Sequence, residues 1–227
     1  MVPAKSTKPA KQAKSASDFP GADRWVPADA PIARLREAAQ DCRGCNLYVD
    51  ATQAVMGQGP VDAALMLIGE QPGDKEDLAG QPFVGPAGKL LSKALEVAGI
   101  PPETVFRTNA VKHFRFSGTP GKRRIHASPD LVHMVACAPW LAAELNLVQP
   151  RGVVALGATA GKASFGRSFK VTASRCQILA WPESFTAAAK PDWVVATIHP
   201  SAVLRSPDRD AALEGLVADL QVAAAAM

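Results

Sequence analysis

At 227 residues, 48% hydrophobic and 20% charged, the chain can bury one substantial core. That excludes a disordered polyelectrolyte and a mini-protein dependent on disulfide staples. Lys5, Lys8, Lys11 and Lys14 against Asp18 give the first stretch +3, leaving +1 of the formal +4 for the body. Nucleic-acid affinity in the body must then come from local patches, with the tail adding a sequence-independent electrostatic attraction.

Residues 1–22, rich in Lys, Pro, Ser and Ala, read as a disordered basic tail. The tail lacks the apolar centre of a secretory signal, and no apolar run reads as long enough to span a bilayer. The chain is expected in the (bacterial) cytoplasm and off the membrane. Residues 23–227 read as a single domain without internal repeats. Residues 31–40 predict a short helix leading into Cys42-Arg-Gly-Cys45. Without a signal peptide, the four cysteines (Cys42, Cys45, Cys137 and Cys176) do not predict a disulfide framework. The close pair reads as half of a metal or cluster site, or as a redox pair.

The apolar run 64–70, ending at Gly69-Glu70, predicts a strand buried on both faces, and Gln71-Pro-Gly-Asp74 a turn. Residues 87–98 predict a helix, with Leu90, Leu91, Ala94, Leu95 and Ala98 on one face. Residues 105–111 read as a second strand. Ser128-Pro129-Asp130 predicts the cap and first turn of a helix to about residue 147, with Pro139 as a kink or junction. Residues 151–156 and 193–198 read as third and fourth strands, with a short helix from Ala158 to about Phe165. Ser206-Pro207 predicts the cap of a last helix that buries Leu213, Leu216, Val217 and Leu220. Strands alternating with helices predict a three-layer α/β/α sandwich around a mainly parallel, four-stranded sheet.

Ligands of open parallel sheets bind beyond the carboxyl ends of the strands. Those ends here carry Glu70, Asn109 and His199, so a carboxylate, an amide and an imidazole should converge on one cleft. Over it should hang the loop Gly121-Lys122-Arg123-Arg124-Ile125-His126, whose three cations suit a phosphate backbone. Taken alone, the loop reads equally as a solvated charge run with an incidental histidine. Gly85-Pro-Ala-Gly-Lys89 and Gly157-Ala-Thr-Ala-Gly-Lys162 lack the spacing of a phosphate-binding loop, since Leu follows Lys89 and Ala follows Lys162.

The segments Gly69-Glu-Gln-Pro-Gly-Asp74, Asp77-Leu-Ala-Gly-Gln-Pro-Phe-Val-Gly-Pro-Ala-Gly88, Thr108-Asn-Ala-Val-Lys112, Leu156-Gly-Ala-Thr-Ala160 and His199-Pro-Ser201, in this order, resemble the uracil-DNA glycosylase superfamily. The resemblance covers roughly residues 35–225 and is nearest to the iron–sulfur branch, the family 4 enzymes. Two departures from that branch, His113 where it carries a cluster-ligating cysteine and the inserted Lys122–His126 loop, together with Gln71, resemble the UdgX type. Proteins of that type excise uracil and then become covalently attached to the DNA through the loop histidine.

The side-chain amide of Asn109 complements the acceptor and N–H of uracil's pairing edge, though Asn also favours strand-end turns. Phe83 is similar to the aromatic that stacks on the extruded base; alone it would read as core. Backbone N–H groups from Gln71 to Asp74 suit the uracil oxygens. His199 would donate to the base oxygen that gains charge, a role that elsewhere carries about 2.7–4 kcal/mol; its bland reading is a buried structural histidine. Glu70 would stabilise the sugar cation, or orient and deprotonate His126, which would capture C1′. Lys122, Arg123 and Arg124 would grip the flanking phosphates.

The resemblance also implies a [4Fe–4S] cluster on Cys42, Cys45, His113 and Cys137, with Cys176 as the other available thiol. From spacing alone, Cys₃His is equally a zinc site. The expected partner is uracil-containing DNA, single strands included, and the protein is expected to be a monomer. The rival readings are a turning-over glycosylase, a non-catalytic binder of uracil-containing DNA, and a nucleotide-binding α/β protein with a zinc knuckle.

Overall fold

The structure, a computed structural model, describes residues 19–118 and 124–227. Four five-residue apolar runs form its centre: β1 (Leu65–Gly69), β2 (Val105–Asn109), β5 (Gly152–Leu156) and β7 (Trp193–Thr197). They pair in parallel in the order β2-β1-β5-β7. A fifth strand, β6 (Ile178–Leu179), adds to β7 antiparallel, so the sheet has five strands rather than the expected four. Its two residues are too few for an alternation to show in the sequence.

Successive strand residues face opposite layers. Leu65, Leu67, Val154, Leu156 and Val195 pack against α3 (Pro86–Val97), α6 (Pro200–Arg205) and α7 (Arg209–Ala226). Met66, Ile68, Phe106, Val153 and Val194 face α4 (Leu131–Val148) and α5 (Gly157–Phe165). This is the three-layer arrangement expected, and burial of each strand leucine stabilises it by roughly 1.5–3 kcal/mol. A third apolar cluster joins α1 (Ile32–Gln40) and the cysteine loop to α4.

Several boundaries differ from expectation. Residues 19–22, read with the tail, belong to the folded body: Phe19 stacks on His133, Ala22 is buried, and its N–H bonds to the Ala136 carbonyl. Residues 1–18 lie outside the described residues. After the first strand the predicted turn leads at once into α2 (Asp74–Ala79), with Gly73 as N-cap. α4 is capped by Asp130, not Ser128, in a reciprocal box with His133. It runs unbroken through Pro139; the carbonyl this frees belongs to Val135, which is exposed to water. Ser206 closes α6, and Asp208 caps α7 by accepting from Ala211 N–H.

By length and composition α4 is apolar enough to cross a membrane, contrary to the reading of the sequence. It is 50% buried within the fold, and its Glu144 pairs with Lys112 in the interior. Those are the marks of a core helix.

Candidate active site

β1 ends at a glycine for a steric reason. A Cβ on Gly69 would lie 2.3 Å from Asn109 Oδ1 and 2.8 Å from Phe83 Cζ. The absent side chain therefore lets the amide of Asn109 and the ring of Phe83 close over one strand end. Asn109 is buried, and its carbonyl accepts from Lys112 Nζ at 2.6 Å. Phe83 sits at φ 59°, a conformation that costs a non-glycine residue energy and is concentrated at functional sites. Beneath them Lys112 and Glu144 form a fully buried pair at 2.7 Å. Thr108 Oγ1 and Gly57 N–H donate to the same carboxylate.

Glu70 follows Gly69. Its Oε2 accepts from Thr159 Oγ1 at 2.5 Å, while its Oε1 is buried and makes no hydrogen bond. His126 Nε2 lies 3.3 Å from that same Oε1, close but not aligned. His126 stands at the end of a small hairpin, β3 (Phe116–Ser117) with β4 (Ile125–His126), and its side chain is 50% exposed.

Two clasps hold this hairpin. Gln71 Nε2 donates to the carbonyls of Arg115 and Ala127, and Gln71 Oε1 accepts from Arg115 N–H. Its side chain is thus engaged with the base of the hairpin. Arg124 pairs with Asp74 and Asp77 and lies against the rings of Phe114 and Phe116. Its charge is thus matched within the protein. Arg124 engages both the side chain and the backbone carbonyl of Asp74. Asp77, fully buried, further accepts from Thr52 N–H. Lys122 and Arg123 lie outside the described residues. Gly73, Asp74, Phe114, Arg124, Ile125 and His126 line a cleft of about 460 Å³.

His199 caps α6, its Nδ1 accepting from Ser201 N–H. That leaves Nε2 as the protonated, donating nitrogen of the neutral ring. Burial lowers its pKa to about 4; Glu70 opposes the shift, whereas Arg205 and His126 add to it. The imidazole is therefore neutral at physiological pH. A Cβ on Gly157, whose φ is +88°, would meet His199 Cβ at 2.9 Å. The glycine thus serves a tight strand-to-helix turn pressed against His199. The other glycine-rich stretch opens α3, where Gly85 N–H is taken by Glu76 Oε1.

A sequence model of the uracil DNA glycosylase superfamily matches residues 56–221. The chain belongs to this superfamily. It is 34% identical over 188 residues to the type-4 uracil-DNA glycosylase of Sulfurisphaera tokodaii, spanning 81% of this chain and 80% of that one. The type-4 enzyme of Thermotoga maritima is 35% identical over 175 residues, 76% of this chain and 82% of its own. That of Pyrobaculum aerophilum is 33% identical over 176 residues, with shares of 78% and 86%.

Cys42, Cys45 and Cys137 are buried in one apolar cluster, and His113 is buried. Trp140 Nε1 and Gly44 N–H point at Cys42 Sγ, and Lys112 N–H at Cys137 Sγ. Burial raises the Cys45 thiol and pushes Cys137 up to about 12. Such thiols are unsuited to the redox-pair reading, which needs an accessible thiolate. Burial also lowers His113 to about 4, leaving the ring neutral, as a ligand must be. Among the described residues no three such side chains converge as a single metal ion requires. Cys176 is elsewhere: exposed, and bonded to Asp219 of α7. Sequence reasoning missed Thr159, Gln71's clasp and Glu144. Thr159 lay within a quoted motif, but nothing in the motif named its hydroxyl's target.

Proposed function

We propose that this uracil-DNA glycosylase excises uracil and then joins the resulting sugar to His126, ending its own reaction. The observation that carries the reading is the 3.3 Å approach of His126 Nε2 to the unpartnered Glu70 Oε1. A nucleophile held beside the carboxylate that faces the sugar captures C1′ ahead of water, because a held group acts at an effective molarity on the order of 10⁵ M or more.

In the first step the C1′–N1 bond breaks and its electron pair leaves on uracil. The neutral His199 donates Nε2–H to the oxygen where that charge appears, and Glu70 stabilises the sugar cation. The ring nitrogen of His126 then supplies the pair for a new N–C1′ bond. The proton lost by the imidazole passes through Glu70 or water to the uracil anion, so the products are uracil and a protein–DNA N-glycoside. Asn109 reads the pairing edge of the base, Phe83 stacks on it, and backbone N–H groups from Gln71 to Asp74 take its oxygens. With Arg124 engaged inside the protein, Lys122 and Arg123 are left to grip phosphate.

A [4Fe–4S] cluster on Cys42, Cys45, Cys137 and His113 is supported by the buried thiols and the N–H groups aimed at them. The cluster would tie the N-terminal segment to α4; no step of the reaction passes through it.

The second reading is a turning-over enzyme, favoured by the type-4 names of the relatives. A denaturing gel with a uracil-containing single-stranded oligonucleotide separates the two. Under the first reading a band that survives SDS and heat forms with the parent and is lost in His126→Ser. Alkali-labile abasic DNA without that band establishes turnover. No release of uracil leaves only a binder.

A further inference from the structure

The side chain that fixes Glu70 comes from neither the hairpin nor the strand that carries Glu70. Thr159 stands in the first turn of α5, and its hydroxyl donates to Glu70 Oε2 at 2.5 Å. The same turn begins at Gly157, which is pressed against His199. One short stretch of backbone thus touches the two groups that must act on opposite ends of the bond being broken. The α5 N-terminus also presents the positive end of its dipole to the carboxylate.

The two oxygens of Glu70 are unequally served. Oε2 has the Thr159 hydroxyl, and Oε1, equally buried, has no hydrogen bond although His126 is 3.3 Å away. A buried, unpaired carboxylate oxygen is costly unless something is to meet it. A carboxylate turns about its last torsion with little resistance. Left to itself, it would not keep Oε1 at one place facing the imidazole. The Thr159 hydroxyl opposes that rotation and keeps Oε1 directed into the site.

We infer that Thr159 is a positioning residue whose hold on Glu70 sets whether the sugar cation is captured by His126 or by water. The inference rests on the roles given to Glu70 and His126 above. With the hydroxyl in place, Oε1 orients the imidazole and takes its proton as the N–C1′ bond forms. Without it the carboxylate swings, the ring loses its orientation, and water competes.

The test is the partition between the heat-stable protein–DNA band and alkali-labile abasic DNA, measured with uracil release in the same reactions. Thr159→Val keeps the shape and removes the hydroxyl; Thr159→Ala removes it without adding bulk, in case valine does not fit; Thr159→Ser restores it. In Val and Ala the ratio of adduct to abasic DNA should fall about tenfold, the size of a lost hydrogen bond to a charged group. Ser should return to the parental ratio. A purely packing role would make Ser as defective as Ala, and an unchanged ratio in Val and Ala would equally overturn the inference. If the parent itself releases uracil without forming adduct, the trapping reading fails instead. In that case Thr159 is judged by uracil release alone: a fall in Ala rescued by Ser keeps it as the residue that positions Glu70, and no fall removes it.

Discussion

The Lys112–Glu144 pair under Asn109 and the Arg124–Asp74–Asp77 group behind His126 share a chemistry but not a solvent. Both partners of the first are at most 1% exposed, and Lys112 also holds the Asn109 carbonyl. In the second, Arg124 is 19% and Asp74 50% exposed, and only Asp77 is fully buried. Inside the protein, each partner of an ion pair depends on the other, because neither can turn to water. At the surface, water and salt take over part of the task. A residue that rejects cytosine by the direction of its amide, as proposed for Asn109, gains from the rigid version. A histidine that moves from Glu70 to C1′, as proposed for His126, gains from the looser one. Under the proposed function, the locked cation would serve recognition and the yielding one capture.

Breaking the locked pair should have the largest effect. Lys112→Met leaves the Glu144 charge in the interior with only Thr108 and Gly57 as donors. The expected loss is about 3–5 kcal/mol, on the order of 10 °C in melting temperature for a chain of this size. A melt within roughly 2 °C of the parent would mean that the pair is not interdependent, and the contrast would collapse. The yielding group should respond differently. Arg124→Gln removes the cation from Asp77 but leaves Thr52 N–H in place, so melting should fall by only a few degrees. Adduct formation should drop about tenfold, as for one lost charged hydrogen bond, while uracil release falls much less. Equal losses in both would place Arg124 in excision itself.

Much of this was readable in the sequence because it depends on local chemistry. The four five-residue strands announced themselves as apolar runs, and a parallel sheet then fixed where Glu70, Asn109 and His199 must end. Local patterns could not show partners. The carboxylate partners of Arg124 were hidden because Asp74 and Asp77 lie about fifty residues away in the chain. The clasp of Gln71 was hidden because its hold on Arg115 and Ala127 exists only once the hairpin has folded back. Glu144 was hidden in a helix that otherwise reads as core, and α2 and α6 were hidden by the turn residues that open them. A hydroxyl such as that of Thr159 carries no sequence signature, because its meaning lies wholly in what it touches.

The smallest effect expected concerns pH, and it tests which side of the contrast His199 belongs to. Its pKa is lowered to about 4, mainly by burial, against about 6.5 in an unfolded chain. As pH falls below 6.5, the unfolded chain takes up a proton that the folded chain refuses. His199 thus contributes stability above pH 6.5 that is progressively lost on the way down to about 4. Between pH 6 and 5 the loss is about 1 kcal/mol. Melting of the parent should fall more steeply over that interval than melting of His199→Gln, which has no proton to refuse. Parallel slopes would put His199 in a water-like setting, as yielding as the hairpin. A steeper parent would place it with Lys112 and Glu144, among the groups whose charge state is set by the fold and not by the solvent.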